Sequence, residues 1–164
     1  MSNNVQFYDY SVQVKSALTD KAIQFLYEIG GEIRSLAQRN SRRDTSQTAG
    51  SYGYKVDEGG LAVHIGSDYW NAIYEEFGTG EHAINHDGRK GYWIYVKTGG
   101  KAKAPKDGKT YSLQEARKAV AIMRKKGLDA YYTKGKTANR PLYRAFTTTE
   151  PRVQRIAQKI FGGL

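Results

Sequence analysis

The chain has no cysteine. That excludes a disulfide framework, a thiolate zinc site and a cysteine nucleophile. No apolar run approaches the ~20 residues that a membrane-spanning helix needs. The first residues, Met1 to Gln6, carry neither the basic nor the apolar region of a secretory signal. A membrane partner is therefore not expected, and synthesis inside the cell is. Gly108-Lys109-Thr110 ends like a phosphate-binding loop, but position 103 is lysine where that motif needs glycine. There is no His-Glu-x-x-His pattern and no Gly-x-Ser-x-Gly elbow. His82 and His86 are four apart, yet Gly80 and Asp87-Gly88 argue against a regular helix that would align them with Glu81 and Asp87 as metal ligands. Glu75 and Glu76 are adjacent, so their side chains diverge and do not pair as acid and base. No enzyme, no cofactor and no metal site is expected.

What the sequence does contain is the make-up of a globular protein. Its 164 residues suffice for one domain with a real core, and 39% are hydrophobic and 26% charged. The formal net charge of +10 is unevenly placed. Residues 1–87 hold 7 Lys and Arg against 12 Asp and Glu; residues 88–164 hold 19 against 4. Such a split fits a nucleic-acid surface, a subunit whose two faces meet oppositely charged neighbours, or a solvated face.

The densest apolar stretch runs from Tyr69 to Gly80. Tyr69, Trp70, Tyr74 and Phe77 are large rings that normally end in a core or an interface. Glu75 and Glu76 lie among them, and one is expected to hold the backbone of Gly78-Thr79-Gly80 or an inter-subunit arginine. The glycines predict a sharp exit with positive φ.

Around this corner the pattern reads as follows. Val5 to Val14 alternates, with Tyr8, Tyr10, Val12 and Val14 on one strand face. A helix follows to Arg39, with Ala22, Phe25, Leu26, Ile29, Ile33, Leu36 and Ala37 as its apolar stripe and Gly30-Gly31 marking a kink or a close contact. Residues 40–50 read as a loop. Residues 52–56 and 61–65 make a hairpin whose turn glycines supply positive φ, with Leu61, Val63 and Ile65 on one side and His64 on the other. Residues 91–96 form another strand, and residues 98–110 an exposed loop. Ser112-Leu-Gln-Glu115 is a capping box that opens a helix to about Lys126, with Gly127 as its stop. Ala130 to Thr133 is a short strand. Pro141 opens a helical turn to Phe146, and a last helix starts near Thr149. The expected architecture is one α+β domain over residues 1–164 with a peripheral basic loop-helix insertion at about 98–133. Arg89, Lys90, Tyr92, Trp93, Tyr95 and Lys97 interleave rings with positive charge, as nucleic-acid surfaces do, although strand aromatics are usually core.

Three blocks resemble the gene-product-ten-like neck or tail-completion proteins of tailed phages. Ala72-Ile-Tyr-Glu-Glu-Phe-Gly-Thr-Gly80 is similar to that family's signature, with Ala72, Tyr74, Glu76, Phe77, Gly78 and Thr79 on the matching positions. Asp44-Thr45 to Ser51-Tyr52 and Arg140-Pro141-Leu142 to Ala145-Phe146 resemble two further segments. Asn71 stands where the family usually has tyrosine, Ser46 where it has glycine, and the 98–133 insertion is long. The resemblance implies a small antiparallel β-sheet packed against the long helix of the N-terminal half, with a C-terminal helix. It implies a non-enzymatic structural role in a virion or phage-like particle assembled in the bacterial cytoplasm. The expected assembly is a hexameric or larger ring of identical subunits at the head–tail junction or tail top, acting as neck, tail-completion or tail-terminator protein. Its neighbours would be tail-tube, sheath or connector proteins, with DNA passing through the channel. Lys101, Lys103, Lys106, Lys109, Arg124, Lys125 and Lys126 are then the candidate residues facing DNA or an acidic neighbour. The alternative is a basic DNA-binding module acting in packaging or on host DNA.

Overall fold

The computed structural model describes residues 9–42, 46–103 and 108–162. In chain order its elements are α1 (Ser11–Asn40), α2 (Gln47–Gly50), β1 (Tyr52–Asp57), β2 (Ala62–Ser67), α3 (Ala72–Phe77), a 3-10 turn (Gly80–His82), β3 (Trp93–Thr98), β4 (Lys101–Lys103), α4 (Leu113–Lys125), β5 (Ala130–Thr133) and α5 (Pro141–Phe161). The fold is α+β, with two compact units: Met1–Asp68 with Pro141–Leu164, and Tyr69–Arg140.

In the first unit a small antiparallel sheet, β1–β2, packs against α1, and α5 lies along the same helix. Ile29, Ile33 and Ala37 are the buried stripe of α1. A Cβ on Gly30 would come within 2.6 Å of Tyr54 Cδ2 and 2.9 Å of Val63 Cγ2. Glycine thus lets the hairpin lie close on the helix.

Several expectations for this unit need correction. The strand ending at Val14 is absent over 11–14: α1 already starts at Ser11, whose N–H bonds to Asp9 Oδ1 at 2.9 Å. That contact satisfies one open donor of the first turn. Val12 and Val14 are exposed there, so their alternation reports no buried sheet face. Tyr8 lies outside the described residues. In the hairpin turn, positive φ falls on Leu61 (48°) rather than on Gly59 or Gly60. Asp57 Oδ1 accepts from the Gly60 N–H at 3.1 Å and shapes the turn instead. Leu61 therefore sits in the turn, while His64 is exposed as expected. The loop at 40–50 contains the helical turn α2; Asp44 and Thr45 lie outside the described residues.

The C-terminal pair of helices is one helix, α5, with Pro151 inside it. Packing outweighs the local cost of proline. Ile156 and Ile160 are buried, Thr149 is buried with its hydroxyl donating to the Ala145 carbonyl at 3.0 Å, and Phe25 meets Phe161 with ring centroids 6.1 Å apart. Arg152–Glu32 and Lys159–Glu28 pairs, at 2.7 and 3.3 Å, flank the same contact.

The second unit holds the sheet β4–β3–β5, antiparallel throughout, with α4 against one face. Ile94, Val120 and Ala130 form its core, joined by Val96, Met123 and Tyr132. The capping box of α4 is formed as read, and Gly127 takes φ 79° just past the helix end. Residues 98–133, read as a peripheral insertion, hold the expected helix and strand as α4 and β5, and these complete this core with β3, while β4 pairs along β3. Within the loop expected at 98–110, Lys101–Lys103 pair with β3, with Lys97 opposite Ala102; residues 104–107 lie outside the described residues.

Candidate functional site

The corner at 69–80 belongs to the second unit, and its geometry follows from a helix too short to bury more than one side. Ala72 and Glu75, three residues apart, face inward; Glu75 is only 2% exposed. The rings face outward. Trp70 is 68% exposed, and Ile73, Tyr74 and Phe77 are exposed beside it. Of the two destinations expected for these rings, a core or an interface, Trp70, Tyr74 and Phe77 do not take the chain's own core. Trp70 sits edge-on to Tyr74, with centroids 5.8 Å apart.

Glu75 is the residue that the sequence reading underrated. Its carboxylate pairs with the Lys136 amine, and its backbone carbonyl accepts from the N–H groups of Asn139 and Arg140 at 2.9 and 3.2 Å. Its neighbour Glu76 is half-buried on the helix. The signal that could have singled out Glu75 is its spacing from Ala72, which puts both on one helical face.

Gly78-Thr79-Gly80 then runs beside Lys134-Gly135-Lys136 as a short backbone ladder. The Thr79 N–H donates to the Lys136 carbonyl and the Glu81 N–H to the Lys134 carbonyl, both at 2.9 Å. Thr79 Oγ1 accepts from the Lys136 N–H at 2.9 Å. Gly78 and Gly80 take positive φ, 73° and 61°, as expected for this exit. The approach is close enough that a Cβ on Gly80 would lie 2.2 Å from the Lys134 carbonyl oxygen.

Glu81, weighed above as a metal ligand, is engaged otherwise. It accepts from the Gly91 N–H at 3.0 Å and pairs with Lys134 at 3.6 Å. The Gly91 donor chiefly, then Lys134 and Lys90, hold its carboxyl below the ordinary carboxylate value. A depressed folded value contributes stability that is present above the unfolded value and lost as pH falls through the folded one. The denaturation midpoint should therefore drop on acidification below about pH 4.5, and drop less in Glu81→Gln. Equal pH profiles would remove Glu81 from the account.

Two of the described basic candidates have local partners. Lys109 Nζ lies over the Tyr111 ring at 5.2 Å, and the Lys109 carbonyl accepts from Arg89 at 2.8 Å. Arg124 donates from Nε to the Ala130 carbonyl at 2.8 Å and covers the Tyr131 ring at 5.1 Å. Lys125, Lys126 and Lys103 are exposed, Lys101 contributes its backbone to β4, and Lys106 lies outside the described residues. The whole unit is basic: residues 69–140 carry 15 Lys and Arg against 7 Asp and Glu, a net of +8.

No protein-family model, no curated protein and no solved structure matches the chain.

Proposed function

We propose that the chain is a non-enzymatic structural subunit of a phage or phage-like particle, forming a ring at the head–tail junction or tail top. The observation that carries this reading is the division of labour in the corner. The stretch resembling the neck-protein signature is held from behind, by Gly78 and Thr79 of that signature in the backbone ladder and by Glu75–Lys136, a pair outside its matching positions, and it leaves Trp70, Tyr74 and Phe77 facing out. Exposed aromatic clusters on a rigid base are what interface anchors are made of. A ring of identical subunits needs two different faces per copy. The first unit offers a second apolar surface, a groove of about 500 Å³ lined by Ile33, Val63, Ile65, Leu142, Tyr143 and Phe146.

The second reading, a DNA-binding module, rests on the +8 charge of residues 69–140. Light scattering separates the two. A ring subunit forms a defined oligomer, alone or on meeting the tail-tube protein, and Trp70→Ala with Phe77→Ala weakens that association at least about tenfold. A strictly monomeric protein that binds duplex DNA with steep salt dependence would favour the second reading and end the first.

A further inference from the structure

We propose that the face of the β4–β3–β5 sheet turned away from α4 binds single-stranded nucleic acid. A base stacks on the Tyr95 side of the Tyr95–Tyr131 pair, and phosphates are held by Lys97 and Arg124, which lie over Tyr131. The inference is independent of the ring reading.

Strand alternation places the residues. Ile94, Val96, Ala130 and Tyr132 point to α4, so Tyr95, Lys97 and Tyr131 point the other way. Tyr95 and Tyr131 are direct cross-strand partners, and their rings are stacked, 5.5 Å between centroids and 20° between planes. Both are half-buried: held by their neighbours, yet not sealed. Lys97 Nζ and Arg124 Cζ each lie 5.1 Å from the Tyr131 ring centre. Asp129 lies by the Tyr131 hydroxyl, raises its pKa and places one acid at the edge of the face. Arg124 is anchored through Nε on the Ala130 carbonyl, so its guanidinium is positioned before any ligand arrives.

Parallel rings flanked by cations suit unpaired bases and the phosphates that join them. Duplex bases are already stacked on one another and leave no face for a ring. The net +8 of the unit supplies long-range attraction for a polyanion. An acidic protein would use the charge but has no need of the stacked rings.

The test is fluorescence anisotropy with a labelled oligothymidine of about 16 nucleotides, on the full chain. Affinity should fall with salt by a log–log slope of about −0.7 per phosphate engaged. Tyr131→Ala and Tyr95→Ala should each lose at least about fivefold, while Tyr131→Phe, which keeps the ring, should retain binding. Lys97→Glu, an exposed change that does not touch the core, should lose at least as much and serves if the alanine variants do not fold. Unchanged affinity in Lys97→Glu, equal or tighter binding of a duplex of the same length, or full displacement by polyglutamate at equal charge would each overturn the proposal.

Discussion

Replacing Gly135 by alanine should destabilise the second unit by about 3–5 kcal/mol, a larger effect than any surface change. Gly135 has φ 129°, a region that side chains rarely enter. A Cβ there would fall 1.9 Å from the Thr79 carbonyl oxygen, 2.7 Å from its carbon and 3.0 Å from Gly80 Cα. All three are backbone atoms, so no rotamer change relieves the overlap. The two chains must part, and three hydrogen bonds part with them: Thr79 N–H to Lys136, Glu81 N–H to Lys134, and Lys136 N–H to Thr79 Oγ1. At about 1 kcal/mol net for each bond, plus the strain of the conformation, the sum reaches the stated range. Gly127→Ala separates conformation from space. Gly127 also has positive φ, 79°, but a Cβ there meets nothing within 4 Å. It should cost only about 1–2 kcal/mol. Trp70 and Trp93, the chain's two tryptophans, both lie in this unit and report its urea transition. Equal midpoints for the two variants would mean that the ladder is not tight.

The same corner shows what was legible in the residues and what was not. Gly78-Thr79-Gly80 announces a backbone turn because glycines so close together have few other uses, and the turn is there. The segment it runs beside, Lys134 to Lys136, carries no such mark. Gly135 and Gly88 are single glycines in polar stretches, yet a Cβ on Gly88 would lie 2.1 Å from the Gly80 carbonyl oxygen. Their need for glycine comes from a partner some fifty residues away in one case and eight in the other, and no local pattern encodes a distant neighbour. Local signals fared well where the cause is local: the capping box at Ser112–Glu115, the Gly127 stop and the β1–β2 pairing. They failed where tertiary packing decides. Pro151 reads as a break, and α5 runs through it because its buried stripe continues on both sides. The aromatic run from Tyr69 to Phe77 reads as core or interface by composition, but a six-residue helix presents only one inward side, and Ala72 and Glu75 occupy it.

Removing the Lys136 amine should cost about 2–3 kcal/mol, and Lys134→Ala, a change of the same type two residues away, should cost far less. The difference lies in the partner. Glu75 is 2% exposed, while Glu81, the partner of Lys134, stands in solvent and has the Gly91 N–H besides. A carboxylate taken out of water needs its counter-charge, and losing one member of such a pair costs about 3–5 kcal/mol when both are buried. Lys136 keeps 41% of its side chain exposed, which lets water replace part of the lost amine and sets the lower figure. Glu75→Gln, which keeps shape and removes charge, completes the cycle. With Gln at position 75, Lys136→Ala should lose most of its effect, because the charge it served is gone. The consequence reaches the proposed interface. Glu75 holds α3 through its side chain on one side and through its carbonyl, bonded to Asn139 and Arg140, on the other. Once that hold weakens, Trp70, Tyr74 and Phe77 no longer keep a fixed spacing, and a surface that binds by pre-set rings loses affinity with its rigidity. Lys136→Ala should therefore weaken association although Lys136 is not one of the outward rings. If association persists unchanged while stability falls, the rings act without the base beneath them, and the link between the buried pair and assembly is broken.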